Sequence, residues 1–366
     1  MLENATAHAI EAPLVPAPSI AGGEITGGPT GDGLLELEHR YVPRQKKSVL
    51  PSMYDLAKLG FFLFGFPKNG FVSVDVSKEC NLRCKHCYFF EQDFIDSELD
   101  VDMWIEKLET LRRTSSMKEF PFMQCTWVGG EPLIRKDLIE RGRKYFRWNT
   151  VVTNGTIPLP NWPDVNWYIS IDGDEALHEQ IRNKKGIYRR AMQNVKDHPN
   201  LQVTIAFCIT RQNVHCLETV VRDWYEAGAG HISFDFYTPI ETIEEPMWLS
   251  FEERDRTLDK LIALKRIYQD FFIIPERVFR LMKQDVCKSV TDHCMFSTHS
   301  TSFGPTGAVK EKCMMGPKAD CDRCGCVVPF YMASLTDRQL IVEDAVRELK
   351  FAARRAASGV LTALVG

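Results

Sequence analysis

With 366 residues, 44% hydrophobic and 26% charged, the chain is long enough for one large α/β domain with a smaller appendage. A net charge of −4 with no Lys/Arg stripe speaks against a nucleic-acid partner, and no run reaches the roughly 18 apolar residues of a membrane span. No basic start and apolar run mark a signal peptide, and the twelve cysteines fall largely in clusters. Metal in a reducing compartment explains that distribution better than a disulfide scaffold, so a cytoplasmic location is expected.

Residues 1–50 lack periodicity and include APLVPAPSIAGGEITGGPTGDG, which predicts a flexible extension. Within 51–69, MYDLAKLGFFLFGF reads as a helix capping one end of a barrel; contact with a lipid stays open. From about residue 70 short strands alternate with amphipathic runs. Strands are predicted at 71–77, 122–128, 148–153, 165–171, 201–210 and 231–238, and helices at 103–113, 133–146, 186–198, 214–228 and 251–271. Polar punctuation falls after the strands, where the loops of a barrel converge on one mouth. The expected fold is therefore α/β, a partial (β/α)6 TIM-like barrel over 70–284. A Cys-, Gly- and Met-rich module with little helix follows at 285–335, and an amphipathic C-terminal helix at 336–366.

The run CNLRCKHCYF places Cys80, Cys84 and Cys87 in a C-x3-C-x2-C pattern. Structural zinc takes four ligands, and a fourth is not obvious nearby; a [4Fe-4S] cube on three thiolates keeps one iron open. This spacing after the first strand of a βα series, with Tyr88 next, resembles the radical S-adenosylmethionine (SAM) superfamily. The resemblance implies that the open iron chelates SAM and that one electron cleaves the cofactor to a 5'-deoxyadenosyl radical. Further features agree over roughly 70–240. Gly129, Gly130 and Glu131 match the family's GGE motif, whose carboxylate meets the ligand's ammonium. Ser170 and Asp172 match positions that hydrogen-bond ribose or methionine. Thr153 and Asn154 flank the same mouth. Arg182 is the candidate for the methionine carboxylate, with Arg189 and Arg190 as alternatives.

A second group, Cys294, Cys313, Cys321 and Cys324, runs as C-x18-C-x7-C-x2-C, with Cys326 two residues on. Four thiolates fill an iron-sulfur cube or a tetrahedral zinc site. The order resembles the SPASM/twitch auxiliary-cluster module and implies one further [4Fe-4S] cluster that accepts an electron from a substrate radical. Cys326 in place of Cys324 remains open. Residues 170–196 and CDRCGC also resemble the adenosylhopane synthase branch, which adds the radical to a lipid alkene.

On the last strand, alternation puts Ser233, Asp235 and Tyr237 on one face, with Asp235 and Tyr237 as the candidate catalytic pair or, for Asp235, an internal ion pair. Ser73, Asp75 and Ser77 form a similar row. Cys208 and Cys216 read as small buried hydrophobes. The leading functional expectation is hydrogen abstraction from a small molecule followed by oxidation or bond formation, with flavodoxin or ferredoxin as electron donor. Alkene addition, peptide maturation and a non-enzymatic metal scaffold are the alternatives.

Overall fold

The computed structural model describes residues 68–92, 97–114, 124–240 and 247–336. The expected N-terminal extension, nearly all of the capping segment and the amphipathic C-terminal run lie outside them.

Seven strands make one parallel sheet: β1 (Phe71–Asp75), β2 (Gln124–Val128), β3 (Trp148–Thr153), β4 (Val165–Ile171), β5 (Gln202–Ile209), β6 (His231–Phe236) and β7 (Ser300–Phe303), in the order β6-β5-β4-β3-β2-β1-β7. From β1 to β6 the order never reverses, so each unit extends one curved wall. A doubly wound sheet would instead carry a switch point where the order turns round. Five helices follow the strands: α1 (Val101–Thr114), α2 (Lys136–Gly142), α3 (Glu175–Arg182), α4 (Ile187–Asp197) and α5 (Leu217–Glu226). After β6 come α6 (Phe251–Tyr268), α7 (Glu276–Leu281), α8 (Gln284–Thr291), α9 (Met295–His299) and, beyond β7, α10 (Val327–Thr336). Beyond β6 the Phe272 segment adds a single parallel bridge to Ile232.

Strand periodicity decides what faces the helices and what faces inward. Trp127, Val151, Trp167, Ile169, Val203, Ile205 and Phe234 are buried in the apolar core. The opposite face is small or polar: Ser73, Thr126, Thr150, Ser170, Ala206, Ser233 and Asp235 line a cavity rather than filling a core. Register stacks them in layers, with Ser170 beside Ala206, Ala206 beside Ser233, and Cys208 beside Asp235 nearer the mouth.

The structure corrects the expected architecture in three places. β7 is a seventh strand, parallel to β1, in a segment expected to lie apart from the sheet. Its sequence, STSF, is short and has no apolar alternation to announce it. The same segment holds three helices, α8, α9 and α10, where little helix was expected. Helix α3 was missed as well. Asp174 caps it by accepting from the Leu177 amide, and left-handed Asn183 ends it within eight residues, so it offers only two turns of period.

Candidate active site and cluster-binding cysteines

The loop after β1 places Cys80, Cys84 and Cys87 on the wall of an internal cavity of about 490 Å3. It folds back tightly: the Leu82 amide donates to Cys80 Sγ at 3.4 Å, and the Cys87 amide to the Cys84 carbonyl at 3.3 Å. Burial pushes all three thiols up, Cys84 to about 12, and the charges of Cys80 and Cys87 add to that rise against the pull of Arg182. A bound cationic cluster would remove this cost. Among the described residues no three His, Cys, Asp or Glu side chains close on one ion. Three thiolates fall one short of the four ligands that structural zinc takes, whereas they suit a [4Fe-4S] cluster that keeps one iron open.

The loop after β2 lies flush against the cysteine loop. Gly130 N donates to the Ser77 carbonyl at 2.9 Å and Glu131 N to the Glu79 carbonyl at 2.8 Å. A Cβ on Gly130 would fall 2.0 Å from the Glu79 carbonyl oxygen, and Gly129 has φ +116°, so neither position admits a side chain. Glu131, 1% exposed, accepts from Thr153 Oγ1 at 2.6 Å, the Asn154 amide at 2.9 Å and the Leu133 amide at 3.2 Å. Burial nevertheless holds its carboxyl above the ordinary range, against these donors and the charge of Arg182, which forms no ion pair with it. Asn154 turns its side chain to Asn81 and Thr156, pinning the cysteine loop from below: Asn154 Nδ2 donates to Asn81 Oδ1 at 2.8 Å, and Asn81 Nδ2 to Thr156 Oγ1 at 2.8 Å.

At the tip of β4, Ser170 lines the cavity and Asp172 carries a buried network. Arg182 Nε donates to Asp172 Oδ2 at 2.6 Å, and His86 Nε2 lies 3.6 Å from Asp172 Oδ1. Burial opposes ionisation of Asp172, but Arg182, His86 and His178 outweigh it and hold the carboxyl below its usual value. Arg182 thus has its Nε engaged by Asp172 while still lining the cavity. The alternatives face away: Arg189 is exposed and pairs with Glu175, and Arg190 is exposed. His86, not among the expected site residues, lines the cavity, and its Nδ1 is buried without a hydrogen-bond partner. Its position between two cysteines of the loop was the signal available.

The opposite wall comes from β5, β6 and the C-terminal segment. Asp235, Tyr237, Cys208 and Cys326 all line the cavity. Asp235 Oδ1 accepts from the Val327 amide at 2.7 Å, and no Lys or Arg pairs with it among the described residues. Burial pushes its carboxyl up to about 6. Besides Asp172, the buried carboxylate with an ion pair here is Asp75, which Lys310 Nζ meets at 2.8 Å. Cys208, expected to be core, faces the cavity beside Asp235, because strand alternation turns it to the same side. Cys216 is buried under α5.

Cys294, Cys313, Cys321 and Cys324 form a second group. Cys324 feels the charges of the other three, and Cys313 and Cys321 each feel Cys294. Cys326 lies nearer Asp235 and the cavity. The segment is clamped to the end of β6. Phe236 N donates to the Gly325 carbonyl at 2.9 Å, and Gly325 N to Thr238 Oγ1 at 2.8 Å. A Cβ on Gly325 would sit 2.2 Å from the Phe236 carbonyl oxygen, so only glycine permits this approach. Tyr88 lines the same cavity: burial raises its hydroxyl strongly, and Asp75, Cys87, Cys313 and Cys326 raise it further.

Residues 74–223 match the family model described as the radical SAM superfamily. This segment is a radical SAM domain. The cysteine loop, the GGE loop and the Asp172 network all fall inside it, and the second cysteine group falls outside. Three curated relatives are 28–32% identical over their aligned regions. The sporulation killing factor maturation protein SkfB of Bacillus subtilis is 28% identical over 173 residues, 43% of this chain and 40% of the relative. Pre-heme d1 synthase of Dinoroseobacter shibae is 32% identical over 152 residues, 38% and 36% of the two chains. A serine-type anaerobic sulfatase-maturating enzyme of Bacteroides thetaiotaomicron is 30% identical over 138 residues, 33% of each. The alignments thus span only a third to two fifths of these relatives' lengths. Among solved structures, Streptococcus suis SuiB bound to its precursor peptide SuiA superposes with a TM-score of 0.54 at 12% identity, over 84% of this chain and 76% of that one. Native anSMEcpe with bound AdoMet and a peptide gives 0.52 at 16%, over 75% and 81%. At such identities these two comparisons establish the fold, a partial barrel with a parallel sheet. No helix among the described residues is long and apolar enough to cross a membrane.

Proposed function

We propose that the chain is a radical SAM enzyme that acts on a small molecule between two iron-sulfur clusters. The observation that carries the reading is the shared cavity. Cys80, Cys84 and Cys87 line one wall and Asp235, Tyr237 and Cys326 the other. The second cysteine group reaches this space only through its chain neighbours Met314, Met315 and Cys326, none of its four thiols being part of the lining. Cys80, Cys84 and Cys87 would hold a [4Fe-4S] cluster that with SAM would supply a 5'-deoxyadenosyl radical for hydrogen abstraction, and Cys294, Cys313, Cys321 and Cys324 would hold an auxiliary cluster supplying an electron acceptor.

The chain's own residues divide the remaining work. Glu131, buried and already given three donors, gains most from a cation arriving on its open side, which suits the cofactor's ammonium. Ser170, Thr153 and Arg182 face the same space. Asp172 holds Arg182 and His86 in place through its carboxylate. Asp235, with a carboxyl near 6, accepts a proton or a hydrogen bond from the substrate at neutral pH. The rest of the lining is aromatic and aliphatic, including Phe71, Phe90, Ile273, Phe296, Met314 and Tyr331. A mostly apolar molecule carrying one donor or amine fits such a chamber better than an anion. Electrons come from a flavodoxin- or ferredoxin-type donor. A peptide is the second reading, favoured by the named maturation activity of SkfB and the peptide bound to SuiB.

Anaerobic reconstitution tests the reading. Binding of about eight irons per chain and conversion of SAM to 5'-deoxyadenosine by the reduced protein are expected, with Cys84→Ala abolishing cleavage. About four irons would remove the auxiliary cluster from the proposal. Absence of cleavage by the reconstituted wild type would leave only a metal-binding scaffold.

A further inference from the structure

Among the described residues Arg254 is a buried cation with two guanidinium nitrogens left without a hydrogen-bond partner. It sits in the first turn of α6, which a capping box of Ser250 and Glu253 starts, and it is 1% exposed. Its Nη1 donates to the Cys324 carbonyl at 3.0 Å, while Nε and Nη2 are buried with no hydrogen-bond partner. Phe236 and Phe251 flank the guanidinium at 4.9 and 5.4 Å. No carboxylate among the described residues forms an ion pair with it, and the charge of Asp255, the next residue of α6, offsets its burial only in part. Cys287 stands close, but burial raises that thiol and keeps it neutral at ordinary pH. Burial also lowers the pKa of Arg254, yet a guanidinium remains protonated in proteins.

An unpaired buried cation costs several kcal/mol by order of magnitude, so a fold retains one only where something else offsets the charge. Packing between two rings is a partial answer, because a cation–π contact offsets only part of the lost hydration. The missing anion fits the second cysteine group. Four cysteinates around a [4Fe-4S] core leave the cluster net negative, and more so after reduction. The guanidinium reaches it through the backbone of one of its ligands. We propose that Arg254 is the counter-charge of the auxiliary cluster: a positioning residue that holds the Cys324 loop and raises the cluster's reduction potential, making it a better acceptor of the substrate's electron. Net charge, hydrogen bonding and burial are the levers by which a protein sets such potentials. The inference rests on the proposed second cluster and goes beyond it, since four cysteines alone would not predict a favoured acceptor.

The test is a potentiometric titration, followed by electron paramagnetic resonance, of the anaerobically reconstituted full chain as wild type, R254M, R254Q and R254K. R254M removes charge and donor together. R254Q keeps a donor for the Cys324 carbonyl without the charge, and R254K keeps the charge. The cluster on Cys80, Cys84 and Cys87 in the same sample is the internal reference. Loss of the charge is expected to weaken reduction of the auxiliary cluster about tenfold or more, about 59 mV per tenfold for one electron. R254K should restore most of the shift, and the reference cluster should not move. A packing role alone would lower thermal stability in R254M and R254Q with no change in potential, and that result overturns the inference while leaving the second cluster in place. Absence of a second cluster signal in the wild type overturns both.

Discussion

At the scale of the residue, the two unpaired cavity carboxylates are held in opposite ways. Glu131 is surrounded by donors, whereas Asp235 has one amide and no cation. Raising Asp235 from an ordinary 3.8 to about 6 means that the ionised form is disfavoured in the fold. The unfolded state gives up this proton first as pH rises, so the wild type loses stability between pH 4 and pH 6 and stays lower above it. Asp235→Asn keeps an oxygen for the Val327 amide. It should therefore match the wild type at about pH 4 and exceed it by up to about 3 kcal/mol above pH 6, as read from unfolding curves at both pH values. The same variant should lose turnover at neutral pH, since its amide cannot accept the proton. Equal stability at pH 7.5 would mean that solvent or a cation reaches the group. Glu131→Gln makes a separate claim. Its amide NH2 meets donors where the carboxylate accepted, and the charge complement for an ammonium disappears. SAM binding, measured by equilibrium dialysis on reconstituted protein, should weaken about tenfold to a hundredfold, the range set by a charged hydrogen bond of about 1.5–3 kcal/mol.

At the scale of the element, the site is an assembly of loops held against one another by backbone, and the barrel strands aim them. Gly130 decides how closely the β2 loop approaches the cysteine loop. Gly130→Ala should cost the first cluster while sparing the second, so iron after reconstitution should fall to about half that of the wild type. Lys310 performs the analogous task between β1 and the segment after β7. Its Nζ meets Asp75 at 2.8 Å and also the Met314 carbonyl, beside Cys313. Lys310→Met leaves Asp75 buried with neither oxygen paired and should destabilise the protein by about 3–5 kcal/mol, with Asp75→Asn in the same chain recovering part of it. Thermal unfolding of the single and double variants reads this directly.

These elements also show what a sequence can reveal. β3 and β4 were legible to the residue because WNTVVT and VNWYISI alternate cleanly between turn signals. The GGE loop and cysteine spacing were legible because backbone proximity restricts residue type there. β7 and α3 were not, since neither is long enough to show a period. The partners of Asp75, Asp172 and Arg254 were also invisible: they lie 235, 10 and 70 residues away along the chain, and no local pattern encodes which carboxylate will meet which cation.

At the scale of the whole molecule, the two cysteine groups sit on very different foundations. The first hangs from β1 and is backed by a core in which Trp104, Trp127, Trp167 and Trp224 are fully buried, so the sheet beneath it needs no metal to stand. Three of the second group's four cysteines lie in 313–324, a stretch rich in Lys, Asp, Gly, Met and Cys, and Cys294 precedes α9; their apolar support is the small cluster of Phe296, Met332 and Leu335. The backbone of this segment is held to β6 through Gly325 and Val327, to Pro239 and Ile240 through Asp320 and Ala319, and to Arg254 and Lys310 through the Cys324 and Met314 carbonyls. A cluster on the four thiols would add a tie that a chelator can remove. Removing iron should therefore act unevenly. In hydrogen exchange on the reconstituted protein before and after chelation, amides of 313–324 should lose protection first and most. The Gly325 and Val327 amides should lag, and β2 to β5 should hardly change. Cys294→Ala should reproduce the loss in 313–324 while leaving the 78–88 loop protected, and Cys84→Ala should do the reverse. Uniform loss of protection across both loops in either variant would mean that the clusters stabilise one cooperative unit, and the barrel would then be less independent of its metal than its buried tryptophans imply.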